Sequence, residues 1–73
     1  MRDYHINVFW SEEDDAYIAD IPDLKYCSAH GPTPEAALRE VLTAKDAWLE
    51  TAKANGKSIP RPSYRPAIYQ ASH

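Results

Sequence analysis

At 73 residues and a net charge of −3, the chain is a single small domain, of a size that buries only about 60% of its unfolded surface and commonly leans on disulfides, metals or self-association. Its one cysteine, Cys27, rules out an internal disulfide and no ligand cluster suggests a structural metal, which leaves self-association, as a homodimer or homotetramer, as the expected support. Neither a signal-peptide pattern nor an apolar run near the roughly 20 residues of a membrane span is present, so the expectation is a cytoplasmic protein with no membrane partner.

Residues 4–10 alternate, with Tyr4, Ile6, Val8 and Trp10 on one side and His5, Asn7 and Phe9 on the other. That period-two pattern predicts a strand with Tyr4, Ile6 and Val8 inward. Ser11-Glu12-Glu13-Asp14-Asp15 is too charged to pack and makes a turn. Residues 16–21 then form an antiparallel hairpin partner. Pro22 cannot donate to a ladder and Asp23 favours a turn; a third, shorter strand is expected over 25–30.

Thr33 suits a helix N-cap, Pro34 the first helical position, and Glu35 the positive end of the helix dipole. The helix is predicted to run to about Asn55, where Asn55-Gly56 supplies a left-handed stop. At 100° per residue Leu38, Val41, Leu42, Lys45, Leu49 and Ala52 share a stripe, with Ala37, Ala44 and Trp48 at its edge. The pattern is that of an amphipathic helix laid on a sheet. Lys45 interrupts the stripe. Either its stem packs while the ammonium snorkels past the sheet, or it meets a carboxylate of a neighbouring subunit, because an unpaired buried charge costs several kcal/mol.

Beyond Lys57, Pro60, Pro62 and Pro66 enforce an extended tail over 57–66, and Ala67-Ile68-Tyr69 could add a short edge strand. The predicted fold is α+β: a three-stranded antiparallel sheet, β-β-β-α, with one long helix on one face and a Pro-rich tail. A single helix covers one sheet face only. The other would carry Phe9, Ile18 and Tyr26 with His5 and Asp20, an exposed apolar patch of the kind that marks an interface. Phe9, Ile18, Lys45, Trp48, Tyr64 and Tyr69 are therefore the candidate oligomer contacts.

The charge is uneven. Residues 1–36 hold two bases against eight acids, a balance of −6, whereas residues 37–73 hold six against three, a balance of +3. An acidic half disfavours nucleic acid and favours a basic protein. Trp10 and Tyr17 could in principle stack on single-stranded RNA, but they flank four acids rather than bases. Trp10, Glu12, Glu13, Asp14, Asp15 and Tyr17 are thus the candidate partner-binding residues.

Tyr17, Pro22-Asp23-Leu24, Cys27, Gly31, Thr33, Glu35-Ala36-Ala37-Leu38, Trp48-Leu49, Gly56 and Ile59-Pro60 follow one another in an order that resembles HicB-type antitoxins. The resemblance covers roughly residues 4–62. It implies a partial ribonuclease-H-like domain over residues 1–62, without nuclease activity, that binds a HicA-type RNA-cleaving toxin. Residues 63–73 would be a tail, too short for the separate DNA-binding domain many such proteins carry. Two positions depart from the family pattern. Tyr26 stands where glycine usually precedes the cysteine, and Lys45 where an apolar residue is usual.

No enzyme is expected. A ribonuclease-H site needs carboxylates converging on two magnesium ions, and the acids here cluster in a loop; only Asp20, Asp23 and Glu35 could approach one another. Cys27 and His30 form a Cys-x-x-His pair, too few ligands for structural zinc. With two glycines there is no phosphate-cradling loop, and no cofactor is implied. The alternative to an antitoxin is a stand-alone oligomeric binding module of the same fold, with no toxin partner.

Overall fold

A computed structural model describes residues 3–67. Three strands, β1 (Asn7–Ser11), β2 (Ala16–Asp20) and β3 (Ser28–Gly31), precede one helix, α1 (Pro34–Ala54). The strands form an antiparallel sheet in the order β1-β2-β3. Phe9 faces Ile18 and Val8 faces Ala19 across β1 and β2, while Ile18 faces His30 and Ala19 faces Ala29 across β2 and β3. Because side chains alternate along a strand, Val8, Trp10, Tyr17, Ala19 and Ala29 share the face under the helix. Phe9, Ile18, Asp20, Ser28 and His30 share the other. Residues 57–66 lie in neither helix nor strand.

Both helix ends are built as their residues dictate. The Thr33 Oγ1 accepts from the Ala36 amide at 3.1 Å, and Pro34 and Glu35 fill the first turn. At the C-terminus the Lys57 amide donates to Ala52 O (2.8 Å) and the Gly56 amide to Lys53 O (3.0 Å), with Gly56 at φ +69°. This is the paired 6→1 and 5→2 closure that a left-handed glycine makes possible.

The core is small: Ala19, Ile21, Leu24, Cys27, Ala37 and Val41 are buried together, with Tyr4, Ile6, Tyr17, Trp48 and Leu49 packed around them. Gly31 decides how closely helix and sheet approach. A Cβ there would lie 2.8 Å from both the Ala36 Cβ and the Ala37 amide nitrogen, so only glycine lets the first turn of α1 settle onto β3. The helix consequently sits over β3 and β2 and leaves β1 partly open.

That offset corrects the predicted helix stripe. Ala37, Val41 and Ala52 are the buried positions, whereas Leu38 and Leu42 are more than one-third exposed. The stripe is rotated toward small residues, because small residues permit the close approach at Gly31. Val8, predicted inward, is on the helix face but 39% exposed for the same reason. Val41→Ala should accordingly lower stability by at least about 1 kcal/mol, and Leu42→Ala should cost less, near the value of an ordinary surface change. Urea midpoints of the two variants check the order.

The strands also start later than predicted. Residues 4–6 alternate but extend beyond Asp20, the last β2 residue paired to β1, so they have no ladder to join. Residues 25–27 belong to a double turn instead of β3. The Leu24 amide donates to Ile21 O, the Cys27 amide to Leu24 O, and the Ile21 amide to Cys27 O, each at 3.0 Å. Tyr26 is the third residue of the second turn and sits at φ +64°, with 90% of its surface exposed. The turn asks for glycine there, since a β-carbon in the left-handed region costs roughly 1–2 kcal/mol. Tyr26→Gly should therefore raise stability by about 1 kcal/mol despite glycine's greater unfolded-state entropy; an unchanged or lower urea midpoint would count against the strain.

Candidate functional site

The hairpin joining β1 and β2 gathers every residue singled out for partner binding. Trp10 and Tyr17 face each other across the ladder, their rings edge to face at 5.1 Å between centroids and 73° between planes. Such pairs add to simple area burial and hold both rings in place. Trp10 is still 44% exposed, and its indole N–H donates to Glu12 Oε2.

The loop beyond them, Glu12–Asp15, is a run of turns with all four residues exposed. Ser11 organises it. Its Oγ donates to Asp14 Oδ2 at 2.9 Å and accepts from the Asp14 amide at 3.2 Å. Asp15 closes the loop at φ +51°, a conformation acidic and amide side chains tolerate better than most. Four consecutive acids held at the end of a two-stranded arm, beside two ordered aromatic rings, create a negative field with apolar anchors at its base.

The candidate oligomer residues are dispersed. Phe9 and Ile18 are cross-strand neighbours on the face away from the helix, and Phe9 is 49% exposed. Tyr26 is displaced from that face by the double turn. Lys45 finds its carboxylate within its own chain: the stem is covered, with 15% of the side chain exposed, and Nζ lies 3.3 Å from Asp3 Oδ1. The Tyr4 amide bond to Asp3, followed by Lys45, holds the Asp3 carboxyl below its usual range. Lys45 thus both snorkels and pairs, with no neighbouring subunit needed for its charge.

Trp48 is tied inward, its indole N–H 2.9 Å from the Lys25 carbonyl; this bond braces the turn that carries Tyr26. Its remaining surface lines a shallow groove of about 420 Å³ with Tyr26, Ala44, Ala47 and Thr51. Tyr64 packs against His5 at 4.9 Å between centroids, the two rings tilted by 48°. Tyr69 lies outside the described residues.

Sequence reasoning missed the tail anchor. The Asp23 carboxylate accepts from the Ser63 amide (3.0 Å), the Ser63 hydroxyl (2.9 Å) and the Tyr64 amide (3.1 Å), while the Tyr4 hydroxyl donates to the Pro60 carbonyl. Partial burial works to raise the Asp23 pKa, but the donors from Ser63 and Tyr64 outweigh it and the net shift is downward. A depressed carboxylate pKa means the anchor is complete above the unfolded value, near 3.9, and is lost as pH falls through the lower folded value. Asp23→Asn should release the tail and cut exchange protection of the Ser63 and Tyr64 amides about tenfold. It should also abolish the loss of protection on acidification, which amide exchange between pH 5 and 2.5 reads directly.

Among the described residues no three His, Cys, Asp or Glu side chains gather to hold a metal. Asp23 holds the tail, and Glu35 lies in the first turn of α1. Cys27 is buried, and burial raises its pKa. His30 is exposed on β3, opposite Ile18. Among the described residues no helix is long and apolar enough to cross a membrane.

Fold and hairpin together define a small two-layer α+β domain with four exposed acids at the tip of its β1–β2 hairpin. The chain belongs to the UPF0150 family. It is 32% identical over 54 residues to a UPF0150 protein of Thermoplasma acidophilum, covering 74% of this chain and 78% of that protein. It is 43% identical over 44 residues to a UPF0150 protein of Synechocystis sp.. That second alignment spans 60% of each chain. No family model matches the sequence, and no solved structure matches it.

Proposed function

We propose that this chain is a HicB-like antitoxin domain that acts in the cytoplasm, binding and neutralising a basic HicA-type mRNA-cleaving toxin by protein–protein contact and catalysing nothing itself. The observation that carries the proposal is the hairpin end, where four exposed acids adjoin the Trp10–Tyr17 pair. A ribonuclease must present a positive surface to RNA, and a negative arm with aromatic anchors is complementary to such a surface. The ordered motif from Tyr17 to Pro60 and membership of the UPF0150 family are consistent with the same reading. Self-association through the sheet face away from the helix, where Phe9 and Ile18 stand side by side, is part of the proposal.

The direct test is co-expression with the small basic protein encoded beside the gene. The two should co-purify, and this chain should restore growth that the basic protein arrests. Absence of such a neighbour, or failure of both complex formation and rescue, would refute the proposal.

A further inference from the structure

We infer that residues 3–6 and the tail residues 57–64 form one strap across the end of the sheet opposite the hairpin. The two segments open and close as a unit, latched on the Asp23 carboxylate. The inference stands apart from the antitoxin reading, because the contacts that build the strap lie at the other end of the sheet.

Ser11 pairs with Ala16 beside the hairpin, and Asn7 with Asp20 at the far end. Residues 4–6 run past that far end, where β2 has no partner left to offer, so they are held by side chains. Asp3 Oδ1 lies 3.3 Å from Lys45 Nζ, the Tyr4 hydroxyl donates to the Pro60 carbonyl, and the His5 ring packs on Tyr64. Two of these attachments are to the tail. The tail lies in neither helix nor strand, and it is fixed by the same two contacts and by the donors that Ser63 and Tyr64 give to Asp23. Each segment therefore supports the other.

The coupling is mechanical. Pro60 and Pro62 lie within the short span between the Tyr4 contact and the Asp23 contact. Their fixed φ leaves little slack, so freeing one contact unseats the other.

Asp23 is the fixed post of the latch. It stands between Ile21 and Leu24, both fully buried, in a double turn closed by three backbone bonds of its own. That turn keeps its shape when the tail leaves. Tyr4 and Ile6, by contrast, are half-buried against the rim of the core, and the latch bonds lie near solvent. Contacts of that kind open at lower free energy than a core does. Opening the strap leaves the ladder between Asn7 and Asp20, and with it the Trp10–Tyr17 pair, in place.

The test is amide hydrogen exchange on the full chain. The Tyr4, Ser63 and Tyr64 amides each donate to a carboxylate, at 2.8, 3.0 and 3.1 Å, and they are the probes. Asp23→Asn should lower the protection of all three by a common factor of about ten. Tyr4→Phe removes one oxygen that touches neither Ser63 nor Tyr64, yet it should lower the protection of both by a common factor of about three to ten. The ladder amides of β2 should keep their protection in both variants. Asp23→Asn that frees Ser63 and Tyr64 but leaves Tyr4 unchanged would overturn the inference, because the segments would then open separately. Tyr4→Phe that leaves Ser63 and Tyr64 unchanged would overturn it for the same reason. A matching loss at the β2 amides would also overturn it, since the strap would then open with the whole domain. If Asp23→Asn does not fold, Tyr4→Phe decides.

Discussion

Replacing Leu24 by alanine is expected to destabilise the domain by roughly 2–5 kcal/mol, the range for deleting a fully buried leucine side chain. Leu24 is 1% exposed and fills the centre of the core between Ile21 and Cys27. Its backbone also closes both halves of the double turn, accepting from Cys27 and donating to Ile21, so the cavity cannot collapse by a simple shift of the loop. At about 0.05–0.15 kcal/mol per residue, a chain of this length has only about 4–11 kcal/mol to lose. The variant should therefore show a much lower urea midpoint with an unchanged slope. A loss below half a kcal/mol would mean that the turn, and not the helix–sheet contact, is misplaced in this account.

Changing Glu12, Glu13, Asp14 and Asp15 together to serine should leave the fold in place and slow association with the basic partner by about 10–1,000-fold at low salt. The four side chains are exposed and contribute nothing to the core. Their internal bonds, from Trp10 and Ser11, are local to the hairpin. The dissociation rate should change much less if, as proposed, the aromatic pair anchors the partner and the charge only speeds its approach. Raising the salt should erase most of the difference between the two proteins. Stopped-flow association at two ionic strengths makes the comparison, and an unaltered, salt-independent rate would remove the loop from the mechanism.

The order of elements was legible because each carries its own local chemistry. Thr33-Pro34-Glu35 opens α1 where it is predicted, Gly56 closes it, and the acidic run separates β1 from β2. Three features were not legible, each for a tertiary reason. The helix phase was read from its largest side chains, yet the contact with Gly31 is made by Ala36 and Ala37. The strand start at Asn7 depends on where β2 runs out of partners, which no alternation pattern in residues 4–10 reveals. Tyr26 concealed a turn because its side chain argues for a strand while its backbone occupies a glycine position; only its departure from the family pattern signalled it. At the hairpin the acids and aromatics could be named from sequence, since they lie close along the chain. The tail clamp at Asp23 could not, because its donors lie forty residues away and are mostly backbone amides.

The central claim is that this molecule meets a basic protein with the hairpin end of its sheet, and its two tryptophans supply an internal comparison. Titrating the proposed basic partner, inactivated by mutation, into the isotope-labelled chain should move the indole N–H resonance of Trp10, which stands exposed beside the acidic loop, and leave that of Trp48, bonded to the Lys25 carbonyl, where it is. Movement of Trp48 alone, or of neither indole in a complex that demonstrably forms, would contradict the claim.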